Sequence, residues 1–284
     1  MTARSRRIVL REMLETGKTF AVPGAYDAVS AALVQAAGFP AVYVGSYATA
    51  ASRLGQPDVG IVSWREMAAH AQSVVDAVSV PVIADFEDGF GKAANLWRCV
   101  REFERAGVSA IHIEDHVHGK HTDFPRVIRP MSQMLDRLKA TLDAREDPSL
   151  LVIARTDAAW LHDDPTEAID RMNAFLEAGA DMVFPAGLKP KRLGKIRDKI
   201  DGKVMVTNFK GYTFAEEEAA GANIVLYYGF CLYAAFRGVQ SALAAFARGG
   251  DCSEIPEVFD TADEFERFIG YSTFAERARK YGLD

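Results

Sequence analysis

Three acidic residues stand within four positions at the end of an apolar run. Residues 80–84 are uncharged and typical of a strand buried on both faces of a parallel sheet, and Asp85, Glu87 and Asp88 follow them with two glycines close behind. Oxygen ligands crowded at a strand end, beside glycines that allow a close backbone approach, suit Mg²⁺ or Mn²⁺. The alternative is a solvated acidic turn.

Polar residues also follow other predicted strands. They are Gly45 and Ser46 after the second, Glu114 and Asp115 after the fourth, Arg155 and Asp157 after the fifth, and Asn208 after the seventh. Acids from several strands that face one buried arginine would be costly as packing alone, whereas a metal ion and an anionic substrate would compensate both charges. The pattern therefore favours a metal site with an anionic ligand. For Arg155 and Asp157, structural salt bridges are the alternative.

The elements that position these residues follow from a repeated phrase. An Ala-Gly pair, two or three linking residues and an apolar strand recur, with the glycines at positions 38, 107, 179 and 221. Glycine readily takes the left-handed conformation that ends a helix, and the chain then turns into a buried strand. This rule predicts strands at 19–22, 41–45, 80–85, 109–114, 150–155, 181–185, 203–207 and 223–227. Eight strand–helix units in about 250 residues predict an α/β protein with a (β/α)8 TIM barrel, whose strand C-termini meet at one mouth.

The domain prediction is a single barrel over residues 1–284. Apolar residues at helical spacing before Gly17 predict an extra N-terminal helix at 4–17. A C-terminal helical extension is expected from about residue 250 to 284. No linker or low-complexity segment interrupts the series of strands.

Composition and charge restrict the class of partner. The 284-residue chain has 49% hydrophobic and 25% charged residues and a net charge of −6, which argues against a nucleic-acid surface and for a small-molecule partner. Three widely spaced cysteines provide neither a disulfide framework nor a metal-binding pair. Neither a signal peptide nor a membrane-spanning segment is expected, so the chain is predicted to be cytoplasmic.

Five sequence phrases together carry a family resemblance. They lie at 22–28, 45–58, 81–91, 113–115 and 153–158, and include Gly45-Ser46, Asp85, Glu114-Asp115 and Arg155-Thr-Asp157. In these phrases the chain resembles the isocitrate lyase and phosphoenolpyruvate mutase superfamily, most of all its short methylisocitrate-lyase-like members. The resemblance implies a barrel whose eighth helix is exchanged between the subunits of a homodimer or homotetramer. It also implies Mg²⁺ (or Mn²⁺) as cofactor and a small 2-oxo or 2-hydroxy carboxylate as substrate.

The resemblance further implies roles for the acidic residues. Asp85 looks like the direct metal ligand, and Asp58, Glu87 and Glu114 would hold metal-bound waters. This division fits Mg²⁺, which keeps several waters and takes few protein ligands directly.

Substrate contacts are implied in the same way. Gly45 and Ser46 would bind the substrate carboxylate and Arg155 the substrate oxygens, while Tyr47 and Asn208 complete the pocket. Together with the metal, Arg155 would stabilise a developing enolate of a pyruvate-like group.

The chain departs from the family pattern at four places. Glu87 stands where the family usually has Asp, Tyr47 where lyases have a small residue, and Ala186 where lyases have Glu and phosphonate enzymes His. The loop after strand four lacks the cysteine that lyases use as an acid, and none of the three cysteines can replace it. A thiol-dependent methylisocitrate lyase is therefore not expected.

The loop instead carries His116, His118, Lys120, His121 and Thr122, with Thr122 near the position of the missing cysteine. These side chains could supply acid–base catalysis near neutral pH, and the loop is expected to close over the mouth as a lid. The alternatives are a solvated polar loop and a zinc site, although the histidines lack a Cys or Glu at regular spacing. In carrying Thr122, the loop also resembles that of the phosphonopyruvate hydrolase branch, which has a threonine there.

Taken together, these features predict a Mg²⁺-dependent carbon–carbon lyase that acts next to the carbonyl or hydroxyl of a small 2-oxo/2-hydroxy carboxylate through a metal-stabilised enolate. The alternatives are a phosphonate enzyme that acts on a P–C bond and a catalytically silent member that binds a carboxylate. Residues 227–246 are apolar on more than one helical face, which predicts a homo-oligomer built through this segment.

Overall fold

Eight parallel strands form the centre of the structure. The computed structural model describes residues 1–91, 93–117, 127–162, 165–249, 258 and 261–283. The strands are β1 (Phe20–Ala25), β2 (Val42–Val44), β3 (Val82–Asp85), β4 (Ala110–Glu114), β5 (Leu151–Thr156), β6 (Met182–Pro185), β7 (Met205–Thr207) and β8 (Ile224–Tyr227). Sequence neighbours pair in the sheet, β1 pairs with β8, and a bridge between Val183 and Val204 joins β6 to β7. The predicted strands and the (β/α)8 barrel are confirmed.

Helices precede, connect and follow the strands along the chain. They are α1 (Ala3–Glu15), α2 (Ala28–Ala36), α3 (Ser46–Thr49), α4 (Trp64–Ala77), α5 (Ala93–Arg105), α6 (Met131–Ala144), α7 (Ala158–Leu161), α8 (Thr166–Glu177), α9 (Pro190–Ile196), α10 (Phe214–Ala219), α11 (Phe230–Gly249), α12 (Ala262–Phe268) and α13 (Tyr271–Lys280). The glycines of the four Ala-Gly pairs, at 38, 107, 179 and 221, have φ angles of +86°, +85°, +104° and +88°. They therefore end the preceding helices in the left-handed conformation, as the repeated phrase predicts.

The strands separate two apolar layers. Side chains that point into the barrel, such as Ile83, Ile153 and Phe184, form one buried cluster. Those that point outward, such as Val82 and Val152, pack in a second cluster with the helices. Because successive residues of a strand point to opposite faces, both layers must be apolar, and the strands read as continuous apolar runs.

The N-terminal helix α1 packs against the inner layer. Leu10 and Leu14 are buried and belong to the same cluster as the barrel interior. Arg7 donates to the carbonyl oxygen of Val108 at 2.9 Å and pairs with Asp147 at 2.7 Å. Since these partners precede β4 and β5, α1 covers the end of the barrel opposite the mouth.

The chain divides into two compact units, residues 1–231 and 232–284. All eight strands lie in the first unit, and the second contains most of α11 together with α12 and α13. The single barrel domain with an extension from about residue 250 stays a prediction. The cytoplasmic location also stays a prediction.

Helix α11 exposes a large apolar surface. Phe236 and Leu243 are 63% and 62% exposed, and Ala245 is the residue of this helix that is buried. The helix is long and apolar enough to cross a membrane by length and composition. The expectation that no segment is long and apolar enough to span a membrane is therefore wrong. A helix that packs against another protein chain can have the same length and composition.

We expect Leu10→Ala to destabilise the barrel by about 3 kcal/mol, because it leaves a cavity at the closed end of the inner layer. Ile8→Ala is the matched control on the same helix, since Ile8 is 41% exposed. It should change the free energy of unfolding by less than about 0.5 kcal/mol. Equilibrium unfolding in urea measures both values, and equal losses would contradict the assignment of Leu10 to the core.

Candidate active site

A cavity of about 460 Å³ opens where the strands end. Seven residues predicted for the site line it, namely Gly45, Ser46, Tyr47, Asp58, Asp85, Arg155 and Asn208. Glu87 and Glu114 are not lining residues, but both are buried beside it, at 5% and 1% exposure. The barrel therefore brings the predicted acids, the arginine and the amide to one mouth, as the strand-end pattern predicts.

The hydroxyl of Ser46 lies between two buried carboxylates. Ser46 Oγ is 3.0 Å from Asp85 Oδ2 and 3.2 Å from Asp58 Oδ2, so it can donate to either. Asp85 Oδ1 accepts a further hydrogen bond from the backbone N–H of Glu87 at 2.9 Å. These bonds orient the Asp85 carboxylate. Because Ser46 is engaged by the acids, its contact with a substrate carboxylate stays a prediction.

Gly45 is required by the ring of Tyr43. A Cβ atom at position 45 would lie 2.7 Å from Tyr43 Cε1, closer than side chains pack. The Tyr43 hydroxyl lies 2.9 Å from His112 Nε2 and 3.4 Å from Asp85 Oδ2. Burial, followed by the charge of Asp85, raises the pKa of Tyr43 well above its ordinary value, so the phenol stays protonated. Sequence reasoning missed Tyr43 and His112 because each stands inside an apolar strand.

The turn after β3 holds Glu87 in a rare backbone conformation. Its φ angle is +48°, a region that residues other than glycine seldom adopt. The Glu87 carbonyl oxygen accepts a hydrogen bond from the Glu114 N–H at 2.9 Å, which joins the ends of β3 and β4. Such a conformation costs on the order of 1 kcal/mol and is typical of functional sites.

Arg155 carries positive charge into the cavity. Arg155 Nε binds Asp157 Oδ1 at 2.8 Å, and Nη1 lies 3.3 Å from Glu114 Oε2. Burial lowers the pKa of Arg155, but the charges of Asp157, Glu114 and Asp85 outweigh burial and hold that pKa well above its ordinary value. The guanidinium also lies 5.1 Å from the centre of the Phe184 ring. The structural salt bridges are thus present, while Arg155 still lines the cavity.

His116 lies behind Arg155. Its Nδ1 atom is 2.8 Å from Asp157 Oδ2, and the residue is 2% exposed. Asp157 therefore links the imidazole to the guanidinium and orients both groups. The other predicted loop residues, His118, Lys120, His121 and Thr122, lie outside the described residues, as does most of the predicted lid.

The sequence predicted only some of the residues that line the cavity near β6, β7 and β8. Asn208 follows β7, and Lys189 and Lys210 line the same cavity. Tyr228 meets Tyr47 edge to face, with the ring centres 5.7 Å apart. Both lysines follow a predicted strand by only a few residues, and that position could have indicated them.

The charges of the site fit a divalent cation that has few protein ligands. Asp58, Asp85, Glu87 and Glu114 are buried, and Arg155 offsets only part of their charge. Within the described ranges, no three acidic, histidine or cysteine side chains are grouped closely enough to hold an ion by themselves. A cation held by one carboxylate and several waters fits both observations. The zinc alternative depends on histidines that are mostly outside these ranges.

A further buried carboxylate, which sequence reasoning missed, lies beside Asn208. Glu217 of α10 is fully buried, and its Oε1 atom accepts a hydrogen bond from the Phe209 N–H at 3.3 Å. The Oε2 atom of Glu217 has no hydrogen-bond partner among the described residues. Burial raises the pKa of Glu217 to about 7.

We expect Glu217→Gln to flatten the dependence of stability on pH. The folded-state pKa of about 7 exceeds the ordinary 4.5, so the folded protein retains a proton that the unfolded chain releases. The stabilisation that this retained proton provides is fully present below the pKa of the unfolded state. It is lost as the pH rises through the pKa of the folded state. The wild type should lose on the order of 2 kcal/mol across this window relative to the variant.

Urea unfolding between pH 4.5 and 8 measures this difference. Glu218→Gln is the matched control, because Glu218 is the exposed neighbour on the same helix and should keep the wild-type slope. If Glu217→Gln also kept that slope, the protonated carboxyl would not be at this position.

Comparison with known proteins gives matches along nearly the whole chain. A family model described as phosphoenolpyruvate phosphomutase matches residues 10–247. The 2,3-dimethylmalate lyase of Eubacterium barkeri is 36% identical over 282 residues, which is 96% of each chain. The 2-methylisocitrate lyase of Shewanella oneidensis is 31% identical over 277 residues, which is 94% of each chain.

A solved structure extends this likeness to the backbone. The complex of phosphonopyruvate hydrolase with oxalate and Mg²⁺ has a TM-score of 0.88 to this chain at 27% identity, and 99% of each chain is covered. The barrel, the acids at its mouth and the matches in sequence agree with one another. The chain therefore belongs to the phosphoenolpyruvate mutase and isocitrate lyase superfamily.

Proposed function

We propose that this protein is a Mg²⁺-dependent carbon–carbon lyase, with Mn²⁺ as a substitute, that acts on a small 2-oxo or 2-hydroxy carboxylate. The observation that carries the proposal is one cavity that holds Asp85, joined through Ser46 to Asp58, together with the guanidinium of Arg155. This arrangement sets a site for a cation beside a site for an anion. The names of the two relatives, both lyases of small carboxylates, support the same reaction class.

Asp85 is the residue that would hold the ion. Its carboxylate lines the cavity, and the donors from Ser46 and the Glu87 N–H fix its orientation. Asp58, Glu87 and Glu114 would accept hydrogen bonds from waters around the ion. When bound, Mg²⁺ would supply positive charge beside the substrate oxygens on which an enolate develops.

Arg155 provides the second positive charge. Asp157 and Glu114 bind the guanidinium, so that it is held in place before substrate binds. A fixed charge of this kind stabilises developing negative charge without reorganising during the reaction. In our proposal Arg155 binds the carboxylate or carbonyl oxygens of the substrate, and Asn208 contacts the substrate from the wall at β7.

The described cysteines are unsuited to act as the proton donor. Burial raises the pKa of Cys99 to about 11 and also raises the pKa of Cys231, and neither residue lines the cavity. We propose that the proton comes from the loop after β4 or from ordered water. His118 and Thr122 are the first residues to test, since His116 is committed to Asp157.

A phosphonate enzyme is the second candidate. The close structural likeness to phosphonopyruvate hydrolase and the presence of Thr122 favour it. Ala186, which lines the cavity just after β6, argues against it, because the phosphonate enzymes that this chain resembles carry histidine there.

We expect the wild type with saturating Mg²⁺ to release pyruvate or glyoxylate from at least one member of a panel of oxaloacetate, alkylmalates and methylisocitrate. It should also exchange the methyl protons of pyruvate with deuterated solvent, which NMR detects. Phosphate release from phosphonopyruvate would instead support the second candidate. An absence of cleavage and of exchange would identify a catalytically silent carboxylate binder.

The variant Asp85→Ala links this activity to the metal site. It should abolish Mn²⁺ binding, followed by electron paramagnetic resonance, and stop the exchange of pyruvate protons, while circular dichroism shows an intact fold. Asp170→Ala is the matched control, because Asp170 is an exposed acid on α8. Unchanged Mn²⁺ affinity in folded Asp85→Ala would refute the assignment of the metal ligand.

We also propose that α11 packs in a homodimer or homotetramer. Its exposed Phe236 and Leu243 are costly in water and would be covered by a second copy. Sedimentation velocity at micromolar concentration, without detergent, should show at least twice the chain mass of 31.1 kDa. The double variant Phe236→Glu and Leu243→Glu should dissociate, unlike the control Gln240→Glu, and a monomeric wild type would refute the proposal.

A further inference from the structure

We infer that Arg129 is a positioning residue for the metal site. Arg129 binds the buried carboxylate of Asp88 and so holds the β3 turn, residues 85–91, in the shape that orients the Asp85 carboxylate. The inference rests on the proposed function, in which Asp85 holds the ion. It assigns a role to Asp88, the third acid at the end of β3, which is not among the residues that line the cavity.

The β3 turn has an unusual backbone. Glu87 and Phe90 have φ angles of +48° and +57°, and Gly89 and Gly91 have φ angles of +87° and +105°. Each non-glycine residue in this region costs on the order of 1 kcal/mol, so the turn keeps its shape only if the surrounding structure holds it. This shape matters for the metal site because the Glu87 N–H donates to Asp85 Oδ1 at 2.9 Å.

Two arginines that do not line the cavity hold the turn. Arg129 Nη2 binds Asp88 Oδ2, and the Gly91 N–H donates to Asp88 Oδ1 at 3.4 Å. Arg137 of α6 donates to the backbone carbonyl oxygen of Asp88 at 2.6 Å and to that of Gly91. Because Asp88 directly follows Glu87, the contact with Arg129 restrains the residue whose N–H orients the metal ligand.

The backbone of Arg129 is itself anchored to the end of β4. Its N–H donates to the carbonyl oxygen of Asp115 at 2.8 Å, next to an antiparallel bridge between His116 and Ile128. The Asp115 carboxylate in turn accepts from the Asp157 N–H, after β5, at 2.9 Å. Arg129 therefore connects the β3 turn to the ends of the next two strands.

A contribution to stability does not account for this ion pair. The side chains of Arg129 and Asp88 are only 17% and 3% exposed, and Arg129 Nε has no hydrogen-bond partner among the described residues. Burying two charges costs about as much as their attraction returns, so an apolar pair of similar size is often at least as stable. An ion pair differs from an apolar pair because it also fixes the direction of the contact. That property is useful beside a strained turn that orients a metal ligand.

The affinity for Mn²⁺, measured by electron paramagnetic resonance without substrate, tests the inference. Arg129→Met should weaken Mn²⁺ binding roughly tenfold, the usual effect of a residue that supports a metal ligand. Arg129→Lys should stay within about threefold of the wild type, because it keeps a charge opposite Asp88 and the contact uses one guanidinium nitrogen.

Two further variants separate positioning from folding. Arg145→Met is the matched control, because it breaks a pair of similar burial with Asp181, which directly precedes β6 at the opposite end of the barrel. It should lower the thermal midpoint but keep the wild-type Mn²⁺ affinity. The double variant Asp88→Leu and Arg129→Met leaves no buried charge alone. It should keep a thermal midpoint near that of the wild type and still bind Mn²⁺ roughly tenfold more weakly.

Hydrogen exchange in the metal-free protein gives a second readout. The amides of the β3 turn should exchange faster in Arg129→Met and in the double variant than in the wild type, because the turn is no longer held in one shape. Arg145→Met should leave their exchange unchanged.

The outcomes are distinct. Mn²⁺ affinity within about threefold of the wild type in both Arg129→Met and the double variant would overturn the inference and leave the proposed function standing. An equal loss of affinity in Arg145→Met would also overturn it, since the cause would then be general destabilisation. If the wild type bound no Mn²⁺, the proposed function would fail and the inference with it.

Discussion

The buried ion pairs of Arg155 are the interaction on which the rest of the site depends. The guanidinium meets Asp157 and Glu114 in a place from which water is largely excluded, and each partner would be strongly destabilising if it were left alone. Asp157 also binds His116, so strand β5 and the residues after β4 are held in one network. This network fixes the position of the Arg155 guanidinium at the cavity.

The barrel makes such a network possible because most of the interior below it is apolar. The inner layer, with Ile83, Ile153 and Phe184, carries no charge and supports the strands directly below their polar ends. Parallel strands in a closed barrel all end at the same face, so residues far apart in sequence need no long side chains to meet. Strain at Glu87 and the close approach of Gly45 to Tyr43 are confined to this face.

The cavity has two sides of different character. Towards β2 and β3 it presents Asp58 and Asp85, which suit a hydrated cation. Towards β6 and β7 it presents Lys189, Lys210 and Asn208, which suit the anionic or hydroxylated end of a small acid. Arg155 lines the cavity as well, and a substrate that bridges an ion and a carboxylate site would have to pass close to its guanidinium. The proposed chemistry therefore follows from where the charges lie.

The amino-acid sequence by itself determined the barrel and the residues at its mouth. The regular Ala-Gly phrase and the continuous apolar runs specify eight strands, because helix ends and strand burial are local properties of residue type. Asp58, Asp85, Arg155 and Asn208 could be predicted as neighbours for the same reason, since each follows a strand or a family phrase that ends at one face.

Only the tertiary structure decided how these groups are paired. His116 faces Asp157, and Ser46 faces two carboxylates, because partners are set by the register of strands that lie far apart in sequence. Tyr43 and Glu217 gave no signal, since a polar residue inside an apolar strand or on a short helix looks the same whether it faces water or a buried partner. Burial and hydrogen bonding across the barrel, which no single segment encodes, decided that difference.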